Sequence, residues 1–233
     1  MKSTLPIFTN GTYHASMSEI VRFPGLQLDF VESRVLGCIL EKETTTPDYY
    51  PMTLKAIEAA CNQSSNRHPV TFLTSEEVEE AVQRMRRKEL LMQVHISGSR
   101  APKYEHQLAE ILDMTSAENA VMTVLLLRSI QTAGEIKQRT ERMHPFESVG
   151  QIEEILRGFM EYSYGPLVKE LPVGSGRRVK TYGHLLGGEK GFETDTRFET
   201  DHKVEERSDL EARVAALEEK LANICEQLGI DEA

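Results

Sequence analysis

The chain has 233 residues, a formal net charge of −10, 39% hydrophobic residues and no tryptophan. This length allows one large domain or two domains of ordinary size. No apolar run reaches the roughly 18 residues of a membrane-spanning helix, residues 1–25 lack the features of a signal peptide, and Cys38, Cys61 and Cys225 form no CxxC pair. We therefore expect a cytoplasmic protein with reduced thiols.

The charge is unevenly distributed along the chain. Residues 29–187 carry a net charge of −3, whereas residues 188–233 carry −8. The overall acidity therefore belongs mostly to the C-terminal part, and it does not exclude nucleic acid as a partner of the nearly neutral body. Residues 1–28 mix prolines and glycines with isolated apolar residues, so we expect an N-terminal arm with little order.

Residues 29–110 are predicted to form a first domain. The spacing of apolar residues and the turn signals predict three helices and then two strands, at residues 29–42, 53–61, 75–88, 91–96 and 103–107. Thr53 is the expected N-cap of the second helix and Ser75 that of the third. Three helices followed by a hairpin are typical of a winged helix.

Residues 115–186 repeat this pattern as a second domain, with predicted elements at residues 117–129, 132–143, 150–162, 167–173 and 179–185. Four sequence matches occur in the same order in both copies; they pair Glu32 with Glu118, Thr53 with Thr132, Val78 with Ile152, and Tyr104 and His106 with Tyr182 and His184. Repetition in order indicates homologous units. The predicted fold is α+β, mainly helical: two tandem winged-helix domains followed by a C-terminal coiled-coil helix.

The C-terminal part is predicted to contain a flexible linker and a helix. Residues 187–203 are rich in glycine, threonine and charge and read as the linker. Over residues 204–230 the apolar positions alternate in steps of three and four, at Leu210, Val214, Leu217, Leu221, Ile224 and Leu228. This heptad seam favours a homodimer through a coiled coil, although an amphipathic helix packed on its own body is the alternative.

One long pattern in the first copy resembles a known family. Residues 36–51 read LGxxxEKExTTPDxYP and residues 60–70 read ACNQxSNRxPV, which resembles the YceH-like family of uncharacterised bacterial proteins. The resemblance extends over about residues 28–186 and implies a tandem winged-helix fold, often with a coiled-coil tail. It implies no activity and no catalytic residue. The family commonly has Lys and Asp at the positions of Ser64 and His68, which argues against a charge-dependent site in this loop.

The loop at residues 62–70 is also where the two copies differ, because the first copy has five extra residues between its second and third helices. The loop is dense in amide and hydroxyl side chains. Such groups cap helices and close turns, so we expect a structural role, although loops also carry functional residues.

DNA binding through the hairpins is the function that the fold class favours. The candidate contacts to the phosphate backbone are the basic residues of the two wings, Arg100, Lys103, Arg177, Arg178 and Lys180. The third helices argue against base reading. They begin with Glu76, Glu77, Glu79 and Glu80 in one copy and with Glu153 and Glu154 in the other, where carboxylates would repel phosphates. The first of them becomes basic only at its end, at Arg84, Arg86, Arg87 and Lys88.

The alternative function is a protein–protein adaptor that uses the winged helices and the coiled-coil tail and does not bind DNA. We expect no enzyme, because the sequence has no nucleophile in a recognisable elbow, no phosphate-binding loop and no set of metal ligands at a suitable spacing. Accordingly, no catalytic residue, metal or cofactor is predicted.

Overall fold

The computed structural model describes residues 26–96, 101–171 and 179–188. About half of these residues are helical and the strands form two small antiparallel sheets, which confirms the α+β class. The helices are α1 (Phe30–Thr45), α2 (Leu54–Cys61), α3 (Ser75–Arg87), α4 (Leu108–Ile111), α5 (Ser116–Arg128), α6 (Ala133–Thr140) and α7 (Val149–Met160), with a 3-10 turn at Pro47–Tyr49. The strands are β1 (Met52–Thr53), β2 (Leu91–Val94), β3 (Lys103–His106), β4 (Val168–Leu171) and β5 (Thr181–His184). None of the helices described is long and apolar enough to cross a membrane.

Side-chain caps determine where the helices begin. Thr53 caps α2 by accepting a hydrogen bond from the Ala56 N–H, as predicted. The N-cap of α3 is Thr74, however, so the prediction of Ser75 is wrong by one residue. Thr74 accepts from the N–H of Glu77, and the Glu77 carboxylate accepts from the N–H of Thr74. This reciprocal box satisfies two helix-end donors, whereas a cap at Ser75 would place an apolar valine at the third helical position.

The strands pair in the same way in both halves of the chain. In the first half the sheet order is β1-β3-β2, and Met52 lies opposite Tyr104. In the second half β4 pairs with β5, and an isolated bridge joins Gln131 to Tyr182. Because Met52 and Gln131 each precede the threonine that caps the next helix, the two bridges are equivalent. The backbone register therefore repeats along with the sequence.

Helices α1 and α5 form the centre of the molecule. Every residue from Val31 to Glu41 of α1 is buried, as is every residue from Ala120 to Leu127 of α5. A helix buried on all sides is covered by more than its own unit. At Gly37 the two helices approach so closely that an added Cβ would lie 2.9 Å from the Leu127 side chain. The two halves therefore share one core.

The beginning and the end of the described fold also meet. Leu26 and Leu28 are buried, and the Leu28 N–H donates to the Leu186 carbonyl over 2.8 Å. Residues 26–28 are therefore packed, although they fall in the predicted arm. Residues 1–25, the rest of that arm, lie outside the described residues.

Candidate functional site

The exposed surface of α3 is acidic at its start. Glu76, Glu79 and Glu80 are exposed, while Val78, Ala81, Val82 and Met85 face the core. This division follows the helical period, which places residues three and four apart on the same side. The carboxylates near the N-terminus also interact favourably with the helix dipole. The exposed start of α3 therefore carries negative charge.

Two of the four basic residues at the end of α3, Arg84 and Lys88, are bound to the body of the protein, whereas Arg86 donates to Gln83 of the same helix and Arg87 is exposed. Arg84 donates to Asp29 over 2.8 Å and to Glu32 over 3.3 Å. The ammonium of Lys88 donates to Glu32 and to the carbonyl of Gln27, both over 2.7 Å. Since Glu32 is almost fully buried, these cations compensate a charge that would otherwise be costly to bury. They attach the end of α3 to α1 and to the residues just before it.

Helix α7, the counterpart of α3 in the second half, has the same polarity. Ile152, Leu156 and Phe159 are buried, whereas Glu153 and Glu154 are exposed. The two matching helices therefore present carboxylates at matching positions.

The structure describes two of the five basic residues predicted on the wings. Lys103 is half-buried at the start of β3. Lys180 is exposed just before β5, where its ammonium lies 3.1 Å from the Glu170 carboxylate. The other three, Arg100, Arg177 and Arg178, lie outside the described residues, as do the six predicted dimer residues Leu210, Val214, Leu217, Leu221, Ile224 and Leu228.

The three consecutive charged residues at the end of α1, Glu41, Lys42 and Glu43, do not all face one site. Glu41 accepts from the Arg67 guanidinium, Lys42 donates to Gln63, and Glu43 lies 2.7 Å from Nε2 of His106. Lys42 also lies 3.6 Å from the Glu41 carboxylate, and Arg67 donates to Gln63, so Glu41 and Lys42 belong to one network. Glu43 points elsewhere, to β3. The hydrogen bond with His106 lowers the pKa of Glu43.

The repeated histidines of β3 and β5 belong to the buried interior. His106 and His184 are both buried, and so are the tyrosines two residues before them. Burial lowers the pKa of His184 to about 4, so this imidazole is neutral at pH 7. Within residues 26–96, 101–171 and 179–188, no group of three or more His, Cys, Asp or Glu side chains is arranged to hold a metal ion.

Two buried arginines anchor the loop at residues 62–70. Arg67 donates to both carboxylate oxygens of Glu41, over 3.2 and 2.7 Å, and to the Ala60 carbonyl. Arg34 of α1 donates to the carbonyls of Cys61 and Pro69. The expected structural role of the loop therefore has a specific physical basis. The composition of the loop carries no signal for it, because a buried arginine cannot be distinguished from an exposed one by sequence alone.

The same loop contacts the second half of the chain. The His68 N–H donates to the Leu127 carbonyl over 3.0 Å, and Arg128 donates to Oδ1 of Asn66 over 2.7 Å. The five extra residues of the first copy thus form part of the junction between the halves. Beside this junction a cleft opens that brings Arg128, Arg139 and Arg142 together. The sequence pattern does not indicate this cluster, because the residues come from different elements.

Comparison with known proteins identifies the family. Residues 28–177 match the model of a family described as "Protein of unknown function, DUF480". This chain belongs to the DUF480 family. A UPF0502 protein of Pelobacter propionicus is 42% identical over 204 residues, which cover 87% of this chain and 92% of that protein. A UPF0502 protein of Geobacter sulfurreducens is 45% identical over 170 residues, or 73% and 77% of the two chains.

A third relative, a UPF0502 protein of Pectobacterium atrosepticum, is 40% identical over 205 residues, which cover 84% of this chain and 97% of the relative. The predicted resemblance to an uncharacterised bacterial family is therefore confirmed. The segment of this chain that matches the DUF480 model includes α1, α5 and the loop at residues 62–70.

Proposed function

We propose that this DUF480 protein is a non-enzymatic interaction module of two winged-helix units, which binds a basic protein surface through the acidic faces of α3 and α7. The order of three helices and a hairpin in each half supports the winged-helix assignment. The equivalent bridges at Tyr104 and Tyr182 support the homology of the units.

The main support for this proposal is the distribution of charge along α3. Its exposed start has Glu76, Glu79 and Glu80. Of the four cations at its end, Arg84 and Lys88 bind Asp29, Glu32 and Gln27 of the same chain, Arg86 donates to Gln83 of α3 itself, and Arg87 is exposed. A helix of this polarity repels the phosphates of a DNA groove. It complements a partner rich in lysine or arginine, because opposite potentials across an interface steer and orient association.

A predicted coiled coil over residues 204–230 completes the proposal. A homodimer formed through Leu210 and its heptad partners would present two copies of each acidic helix to one partner. Two linked sites bind more tightly than one when the partner engages both, since the second contact forms at high effective concentration.

The test is recovery of partners by the full-length chain from a bacterial host, with variants matched in charge. The first variant carries Glu76→Gln, Glu79→Gln, Glu153→Gln and Glu154→Gln on the third helices. The control carries Asp48→Asn, Glu110→Gln, Glu141→Gln and Glu147→Gln, which are also exposed and also remove four charges. We expect basic proteins recovered by wild type and control to fall at least tenfold with the first variant. Equal recovery by both variants would refute the proposal.

DNA binding through the wings is the second candidate function. It is supported by the position of Lys103 and Lys180, which border the turns of two hairpins, where wings contact the DNA backbone. Labelled duplex titrated at low and moderate salt tests it. Binding that weakens with salt and is lost in Arg177→Ala with Arg178→Ala would support this candidate, and an absence of binding at low salt would eliminate it.

A further inference from the structure

A cleft lies where the two halves of the molecule meet. It is bordered by the end of α1, the loop at residues 62–70, the end of α5 and the end of α6. Its cavity volume is about 40 Å³, and its mouth is open to solvent. Both halves contribute side chains, so a ligand held there would contact the two units at once.

Three arginines line the cleft. Arg128 and Arg139 are half-buried at its wall, and Arg142 is exposed at its edge. Each guanidinium has five N–H donors in a planar fork. Within the described residues, Arg128 donates to Asn66 and Arg139 lies 3.4 Å from Glu135. Arg142 has no ion pair with a described residue. Most of the donors in the cluster therefore remain available to an acceptor.

Negative charge in the lining is already compensated. Glu41 contributes the carboxylate, and both of its oxygens accept from Arg67, whose side chain is fully buried. Lys42 also lies 3.6 Å from this carboxylate. Glu41 therefore cannot neutralise the three arginines of the cleft, and the site has an excess of positive charge.

The arginines also affect one another. Burial, followed by the nearby charges of Arg139 and Arg67, lowers the pKa of the Arg128 guanidinium, while the carboxylates of Glu41 and Glu135 oppose this shift in part. Like charges held at a partly buried position repel, and this repulsion is relieved when an anion binds between them. Val124 and Leu127 form an apolar wall beside the cations, which reduces competition from water.

We propose that this cleft binds a small anion that carries a phosphate group. Planar guanidinium groups from two elements match tetrahedral phosphate oxygens through paired hydrogen bonds. The concave shape, closed on one side by α1 and the loop, suits a small molecule better than the extended backbone of a nucleic acid. Binding would connect Asn66 and Thr45 of the first half with Arg128, Arg139 and Arg142 of the second.

The test is calorimetric titration of the full-length chain with inorganic phosphate and with pyrophosphate, at constant ionic strength set by chloride. One variant carries Arg139→Gln and Arg142→Gln. The matched control carries Arg87→Gln and Arg157→Gln, which are exposed on α3 and α7. We expect saturable binding of at least one probe by wild type and control, and affinity at least tenfold weaker in the cleft variant. The unfolding midpoint without phosphate checks that the variant is folded.

No saturable binding of either probe to the folded wild type would overturn the proposal, and so would equal affinity in the two variants. A labelled DNA duplex provides the third arm. If the cleft variant loses duplex binding while wild type binds neither phosphate nor pyrophosphate, the arginines serve a nucleic-acid backbone, and the proposal of a small-molecule site is wrong.

Discussion

Arg67 and Glu41 form an ion pair whose side chains are 0% and 11% exposed. Burying two charges has a high desolvation cost, which close geometry and additional hydrogen bonds compensate. Here the guanidinium contacts both carboxylate oxygens and also the carbonyls of Ala60 and Asn66. These two side chains thereby connect α1 to the loop that reaches the second half.

Arg67→Met should lower the free energy of unfolding by about 3–5 kcal/mol, because it leaves the Glu41 carboxylate buried without its partner. Urea denaturation monitored by circular dichroism measures this change. Arg87→Met, at an exposed position, is the control and should alter stability by less than about 0.5 kcal/mol. The double variant Arg67→Met with Glu41→Leu should recover part of the loss. An unchanged midpoint in Arg67→Met would contradict the assignment.

His184 should make stability depend on pH. Its pKa is about 4 in the fold, because burial disfavours the charged form, and about 6.5 in the unfolded chain. Between these values the unfolded state binds more protons, so the free energy of unfolding falls as pH falls from about 6.5 to 4. The full contribution is about 3 kcal/mol.

His184→Gln removes this titration. Between pH 7 and pH 5, the free energy of unfolding of this variant should therefore decrease by about 2 kcal/mol less than that of wild type. His95→Gln, at an exposed position, should keep the wild-type pH dependence. Parallel curves for wild type and His184→Gln would show that His184 is not the responsible group.

At the scale of elements, the contact of α1 with α5 at Gly37 determines how the halves join. Gly37→Leu should destabilise the protein by about 1–3 kcal/mol, although leucine is the better helix former. The physical reason is overpacking, because the Cβ position already lies 2.9 Å from Leu127. Thermal unfolding measures the effect.

Gly158 of α7 provides the matched comparison. An added Cβ there has nothing within 4 Å, so Gly158→Ala should stabilise the protein by about 0.5–1 kcal/mol through a smaller backbone entropy loss. Destabilisation by both substitutions to the same extent would mean that the close approach at Gly37 is not the cause.

The sequence predicts the elements of this fold well and their assembly poorly. Helix positions follow from apolar spacing, and the caps at Thr53 and Thr74 lie within one residue of the predicted positions. The full burial of α1 and α5 does not follow from a local pattern, because it depends on a contact between residues far apart in the chain. The arginine cluster of the cleft has a similar origin: Arg128 and Arg139 become neighbours only when α5 packs against α6, and no local pattern records that contact.

At the scale of the whole molecule, the tail is predicted to determine the oligomeric state. A chain ending at Gly188 should sediment as a monomer, whereas the full-length chain should sediment as a dimer, because the truncation removes the heptad seam from Leu210 to Leu228. Sedimentation equilibrium measures both masses. Identical masses for the two chains would refute a role of the tail in dimerisation.

The proposed preference for a basic protein partner rests on the acidic third helices, and duplex titration at physiological salt tests it most directly. The measurement compares wild type with Glu76→Gln and Glu79→Gln, which remove two exposed charges from α3. We expect no saturable binding of duplex by wild type at concentrations up to roughly 10⁻⁵ M, within the range typical of non-specific DNA binding. Saturable binding by wild type that becomes tighter in the variant would show that α3 faces DNA, and would contradict the account.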